Sequence, residues 1–372
     1  MKVLMYSLDR QLFEEGDARK RMIEYGKLVE RLDIVVLTGR GKNIQQLSGN
    51  TMLYPTNSWH KFFRLCDAFR LGKKLVKENG IGLVVAQEPY LTGWVACRLA
   101  NKFKLKLLVS AYGNNIFDPL WLRERPVHRI YKIIGQKVFR RADAIQTDGD
   151  ETVKDLKARY GEKVFWKPII PSNIEDFKIE KEKASSPIKI LFVGRLVKQK
   201  NLPLLLEVME KIQNSEIKDK IKFTVIGDGP LKNYMLSEIK ARGLADLVDY
   251  SPRVSREEMV KIYAEHHILI LTSIYEGFAK VFMEAAAAGL PIVTTRVSGV
   301  ANIVKDGVSG FVAEQGDVEG MVEKLNVLVN DQNKLKEFSK KIKEDFWAKY
   351  DFKVMIEIQQ KIFNYLSQHN NG

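Results

Sequence analysis

Short uninterrupted apolar runs alternate with longer stretches of helical periodicity along this chain, and that rhythm admits few architectures. The run over 2–7 is followed by a helical pattern over about 18–32, strand-like 34–37 and a helix over 61–77. A strand at 83–86, a helix over 92–102 and a strand over 105–110 come next. Strands apolar at every position are buried on both faces, and helices between them are the crossovers of a parallel sheet. Ala144-Ile145-Gln146 and 164–166 continue the series, then 171–187 breaks it, ending in Lys181-Glu182-Lys183-Ala184-Ser185-Ser186-Pro187, and reads as a polar linker. A second alternation opens at 188–194 and runs through 223–226, 268–272 and 292–295. The expected fold is therefore α/β, with two Rossmann-like domains over 1–170 and 188–350 facing each other across a cleft. A last helix over about 352–367 is expected to fold back across the first.

Composition agrees with two buried cores, since 372 residues exceed what one core organises and 45% of them are hydrophobic. Cys66 and Cys97 are the only cysteines, which excludes a disulfide framework and a cysteine zinc site and suits a reducing compartment. Both are expected to be buried thiols. The five histidines show no metal-ligand spacing. The opening apolar run meets Asp9 and Arg10 too early for a signal peptide, and no run is long enough to span a bilayer, so a cytoplasmic chain, soluble or peripheral on a membrane's cytoplasmic face, is expected. The net charge of +14 is uneven: residues 1–170 hold 31 Lys and Arg against 18 Asp and Glu, whereas 171–372 hold 29 against 28. A basic first half favours an anionic partner there: a lipid surface, nucleic acid or a phosphorylated substrate.

The chemistry concentrates in the second half. Gly194, Arg195 and Lys200 fall in the loop after an apolar strand, where open parallel sheets hold ligands, and a guanidinium fork with a compact ammonium suits two phosphate groups. A surface turn with incidental bases would read the same in isolation. Farther on, Glu276 and Gly277 precede a helix over 278–288 that contains Glu284 and ends at Gly289 and Pro291. The free N–H groups over Phe278, Ala279, Lys280 and Val281 form a helix start suited to anions. A nucleotide-sugar would satisfy all of this at once: sugar hydroxyls on Glu276, diphosphate on the helix start with Arg195 and Lys200, ribose hydroxyls on Glu284.

This segment resembles the Glu-x7-Glu motif of glycosyltransferase family 4, a retaining family. Gly194-Arg195 with Lys200, Gly227-Asp228-Gly229-Pro230, and Asp306-Gly307 followed by Gly310-Phe311 are similar to its other landmarks, in the expected order over 188–317. The resemblance implies the GT-B fold, a nucleotide-diphosphate sugar held mainly by the second domain, an acceptor held mainly by the first, and neither catalytic metal nor cofactor. It further implies that Glu276, Arg195 and Lys200 are catalytic, that Glu284 meets the ribose, and that Gly16 approaches the donor phosphate. Three positions depart from the pattern. Ala279 stands where the family usually has Gly, Ser298-Gly299-Val300-Ala301-Asn302 stands for Gly-Gly-x-x-Glu, and 110–115 lacks a sugar-contacting His, for which Asn114 is the substitute.

The expected function is transfer of a hexosyl group from a nucleotide-diphosphate sugar to a glycan or lipid-linked acceptor with retention, in cell-surface polysaccharide or glycolipid synthesis. An epimerase or hydrolase of nucleotide-sugars, or a non-catalytic nucleotide-sugar or nucleic-acid binding module, are the alternatives; no nucleic-acid motif accompanies the charge, so no nucleic-acid partner is expected. Two first-domain segments, 59–70 and 121–141, mix bases with large apolar residues. An inward apolar stripe on ordinary helices accounts for them, and docking on an anionic membrane is the functional reading.

Overall fold

The computed structural model describes residues 1–372 except 113–115, 118, 181–185, 277–279, 298 and 369–372, and the side chains of 119, 120, 124 and 151. Two compact units divide the chain, Met1–Ser172 with Phe352–Gly372 and Asn173–Asp351.

The first unit carries β1 (Lys2–Ser7), α1 (Asp17–Lys27), β2 (Arg31–Val36), β3 (Gln45–Ser48), β4 (Thr51–Pro55), α2 (Arg64–Asn79) and β5 (Leu83–Ala86). It continues through α3 (Leu91–Phe103), β6 (Lys106–Ser110), α4 (Pro119–Glu124), α5 (Pro126–Arg141), β7 (Ala144–Thr147), α6 (Asp150–Tyr160) and β8 (Val164–Trp166). The strands order as β3-β4-β2-β1-β5-β6-β7-β8, parallel except for the β3–β4 hairpin. Leu4, Tyr6, Val84 and Leu107 are fully buried, as central parallel strands require. The hairpin was not anticipated, because Gln45-Gln46-Leu47-Ser48 is polar and half-exposed at the sheet edge and leaves no apolar run to read.

The second unit carries β9 (Ile188–Val193), α7 (Leu202–Gln213), β10 (Ile221–Ile226), α8 (Lys232–Ala241), β11 (Val248–Ser251), α9 (Arg256–Glu265) and β12 (Ile268–Leu271). After these come α10 (Lys280–Ala288), β13 (Ile292–Thr295), β14 (Gly310–Ala313), α11 (Val318–Asn330) and α12 (Gln332–Lys349), before α13 (Phe352–Gln368) rejoins the first unit. Its strand order, β11-β10-β9-β12-β13-β14, is all parallel and Rossmann-like, with the direction of winding reversing between β9 and β12. The four alanines over 285–288 are fully buried and bring α10 close to the sheet.

The 171–187 segment differs from the linker expected of it. From Asn173 it belongs to the second unit, and Ile174 and Phe177 are buried, Phe177 meeting the Tyr263 ring edge-on at 5.1 Å. A short helical turn over Ile174–Phe177 thus anchors the second core before β9 begins. The thiols also differ: Cys66 is exposed and Cys97 half-buried.

Within the first unit, α13 packs against α1, and Met355, Ile362 and Phe363 are buried there. Beneath them Lys167 is fully buried, its amine donating to the Tyr25 hydroxyl at 2.6 Å and the Tyr112 hydroxyl at 3.3 Å. Burial, and secondarily Arg21, hold that amine well below its ordinary pKa. The unfolded chain then binds a proton that the folded chain lacks, so stability should rise with pH through the alkaline range up to about 10.4, the free lysine value. Urea midpoints across that range should show the rise in the parent chain and its loss in Lys167→Met.

Candidate functional site

The point where the second sheet reverses its winding leaves an open crevice at the carboxyl ends of β9 and β12, because the following helices depart to opposite faces. Two loops reach it. The first leaves β9 through Gly194, Arg195 and Leu196 into a 3-10 turn over Lys198–Lys200. The second leaves β12 through Thr272, Ser273, Ile274, Tyr275 and Glu276 toward α10.

Their side chains meet in a buried ion pair. Lys200 Nζ lies 2.5 Å from Glu276 Oε1, with the side chains only 10% and 8% exposed. The Ser273 hydroxyl donates to the same oxygen at 2.7 Å, and Gln199 Nε2 approaches Oε2 at 3.5 Å. The loops are also tied through backbone: Ile274 N donates to Gln199 O at 2.9 Å, and the Thr272 hydroxyl to Lys200 O at 2.8 Å. Gln315, just past β14, donates from one amide to the carbonyls of Ser273, Ile274 and Arg296 at 3.1, 3.2 and 2.9 Å. These restraints hold Glu276 at the crevice.

The glycines of the first loops answer to close packing. A Cβ on Gly227 would stand 1.9 Å from the Gly194 carbonyl oxygen, and one on Gly194 would press on the Lys200 stem at 3.0 Å. The β9 and β10 loops therefore stack backbone on backbone, with Leu196 N donating to Asp228 O at 2.9 Å.

Glu284 sits on the second turn of α10, half-buried, accepting from the Tyr263 hydroxyl at 3.2 Å. Burial, reinforced by Glu284, keeps Tyr263 protonated well above its ordinary range, so it remains a donor to that carboxylate. Arg195 is exposed at the mouth of the β9 loop and forms no ion pair among the described residues. Lys280 and Val281 open the first turn of α10, exposed and half-buried. Gly277, Phe278, Ala279 and Asn114 lie outside the described residues. Gly16 belongs to the first unit, where it precedes α1 with open space around it. Asp17 Oδ1 accepts there from Ser172 N, and Asp17 Oδ2 lies 3.5 Å from Arg21.

Beyond the carboxyl ends of β5 and β6 the first unit has a cavity of about 270 Å³, lined by Glu88, Tyr90, Ala111, Tyr112, Ile116 and Phe117 among others. Burial pushes the Tyr112 phenol up to about 12 and raises the Glu88 carboxyl, which accepts from Tyr90 N at 2.6 Å and from Thr92 N. The His266 and His267 rings serve architecture, bonding Ile262 O and Thr224 Oγ1, and Lys189 N, respectively.

Residues 173–345, nearly the whole second unit, match the family described as glycosyl transferases group 1. The likeness is to glycosyltransferases of the group 1 type. An uncharacterized glycosyltransferase of Methanocaldococcus jannaschii is 26% identical over 306 residues, 82% of this chain and 81% of its own. The D-inositol 3-phosphate glycosyltransferase of Thermobifida fusca is 30% identical over 151 residues, 39% of this chain and 35% of its own. Among solved structures, sucrose-phosphate synthase from Thermosynechococcus elongatus aligns with a TM-score of 0.80 at 14% identity over 99% of both chains. HepE of Anabaena, in complex with UDP and glucose, aligns at 0.75 and 15% identity, over 99% of this chain and 100% of its own. These likenesses establish the GT-B fold with its two Rossmann-like units.

Ser273, Gln199, Gln315 and Tyr263 support the expected acids and were not singled out beforehand. Ser273 had a signal, three positions before Glu276 in one loop; Gln315 and Tyr263 had none, since only the fold brings them near.

Removing one member of a buried pair strands the other, so Lys200→Ala and Glu276→Ala should each cost about 3 kcal/mol. Once the pair is gone the second loss is smaller, and urea unfolding of the double variant should show sub-additivity of about 1–2 kcal/mol.

Proposed function

We propose that this chain is a retaining transferase of the glycosyltransferase family 4 kind, moving a hexosyl group from a nucleotide-diphosphate sugar to a glycan or lipid-linked acceptor, in cell-surface polysaccharide or glycolipid synthesis. The observation that carries it is the Lys200–Glu276 pair at the reversal point of the second sheet. Two ions removed from water are costly, and an apolar pair would hold the loops as well, so their presence at a ligand crevice favours a binding role over a structural one. The UDP and UDP-sugar complexes of HepE, on the same fold, support a nucleotide-sugar as the donor class.

Glu276 takes the donor sugar's hydroxyls, for which its Oε2 faces, among the described residues, only the long Gln199 contact. Lys200 uses one of its three donor protons on Glu276, and the remaining two, with the exposed Arg195 fork, offset the charge of the leaving diphosphate. The first turn of α10, at Lys280 and Val281, adds backbone donors, and Glu284, held by Tyr263, takes the ribose hydroxyls. Gly16 admits the donor phosphate to the start of α1. The acceptor occupies the cavity beside Tyr112. Transfer follows a same-face displacement: the acceptor oxygen bonds to the anomeric carbon, the bond from that carbon to the diphosphate oxygen breaks, and the diphosphate oxygen takes the acceptor's proton. A resident metal or cofactor is not part of this scheme.

Glu276→Ala should lower kcat/KM by about 10²–10³ while far-ultraviolet circular dichroism stays native; unchanged turnover sinks the assignment. Glu284→Gln should instead weaken nucleotide binding, read as reduced thermal stabilisation by UDP- or GDP-sugars, with the anomeric configuration of any product still retained by NMR.

A further inference from the structure

The outward face of α5 is unlike an ordinary solvated helix face. His128, Gly135, Val138 and Phe139 turn inward and are buried. On the other side Ile130 and Ile133 stand 57% and 55% exposed, and Val127 at the first turn is 37% exposed. Around them the helix carries five Lys and Arg residues and no Asp or Glu. Among the described residues Arg129, Lys132 and Lys137 form no ion pair. A solvated face normally mixes charges of both signs; exposed aliphatics set among cations alone mark a helix that lies in an interface.

A second element stands at the same edge. Trp59 and Phe62 are 72% and 76% exposed on the turn that leads into α2, and Phe63 is 49% exposed. Trp59 stacks on Phe63 with centroids 6.4 Å apart, and the Lys61 ammonium lies 5.5 Å from the Phe62 ring. The helices α2, α3 and α5 pack side by side, and each begins beyond the carboxyl end of a parallel strand, β4, β5 and β6 in turn. The aromatic turn and the first half of α5 thus project from one edge of the first unit, the edge that holds the cavity beside Tyr112.

We propose that this corner of the first unit is a docking surface for an anionic lipid bilayer, with α5 lying along the headgroups and Trp59 and Phe62 inserted at their depth. Anionic headgroups answer the unpaired cations, and the acyl boundary takes Ile130, Ile133 and the aromatic tips. A second copy docking by two-fold symmetry would set the cations of α5 against themselves. Nucleic acid would leave the isoleucines without a partner, since bases stack on rings and phosphates pair with cations. The surface does not involve the donor site, so it stands or falls apart from the transfer reaction.

Flotation of the full chain with vesicles tests it. The chain should rise with vesicles of mixed phosphatidylglycerol and phosphatidylcholine at low salt, and stay behind with phosphatidylcholine alone. Combined Arg129→Gln, Lys132→Gln and Lys137→Gln should weaken binding about tenfold or more, whereas Lys218→Gln, Lys240→Gln and Lys336→Gln on the second unit remove the same charge with little effect. Ile130→Ser with Ile133→Ser, and separately Trp59→Ser with Phe62→Ser, should lower binding while leaving stabilisation by nucleotide-sugars unchanged. Brominated lipid should quench the parent chain's fluorescence more than that of Trp59→Phe. Equal losses from both charge sets, binding insensitive to the apolar substitutions, or a concentration-dependent dimer that Ile130→Ser dissolves would each overturn the proposal.

Discussion

The second unit is organised around one electrostatic necessity: Lys200 and Glu276 are both withdrawn from water and are tolerable only in each other's company. That pairing fixes the separation of the β9 and β12 loops. The adjoining contacts, Ile274 to Gln199, Thr272 to Lys200 and the three-carbonyl grip of Gln315, maintain the register that the ions need. Because the sheet reverses its winding between these strands, the pair sits where the fold already leaves an opening. Electrostatics and topology thus converge on one place.

The two units use the same sheet plan differently. In the second, the reversal point is lined by the Lys200–Glu276 ion pair, with Arg195 exposed beside it. In the first, the carboxyl edge is phenolic and apolar, with Tyr112, Tyr90 and Ile116 around a cavity, and its charge lies outside on helix surfaces. A charged group suits the former environment and a less charged one the latter.

Legibility in the sequence tracked burial. Leu83–Ala86 and Ile292–Thr295 were placed to the residue because strands buried on both faces are continuous apolar words. The β3–β4 hairpin, β11 and β14 were missed: an edge strand such as Val248–Ser251 has one buried position in four and little to distinguish it from a loop. At the site, Glu276, Glu284, Arg195 and Lys200 were readable because their spacing around strand ends is local. The bond from Lys200 to Glu276 spans 76 positions, and no periodicity reports it. The linker reading failed for a related reason, since two apolar residues, Ile174 and Phe177, decide where 171–187 belongs and are too few to form a pattern. The basic segments were misjudged in the opposite sense: Phe62 and Ile130 fit an inward stripe by spacing, and only coordinates reveal that they face out.

The chain enters the first unit, leaves it at Ser172 and returns at Phe352, so the first unit is discontinuous while the second is a single stretch. During synthesis, α13 emerges only after all of the second unit. Until then Tyr25 lacks Met355, Phe165 lacks Tyr365, and the layer above Lys167 is unfinished. The second unit can therefore mature on the ribosome first, and the first unit is completed only once α13 has emerged, an order of assembly opposite to the order of translation.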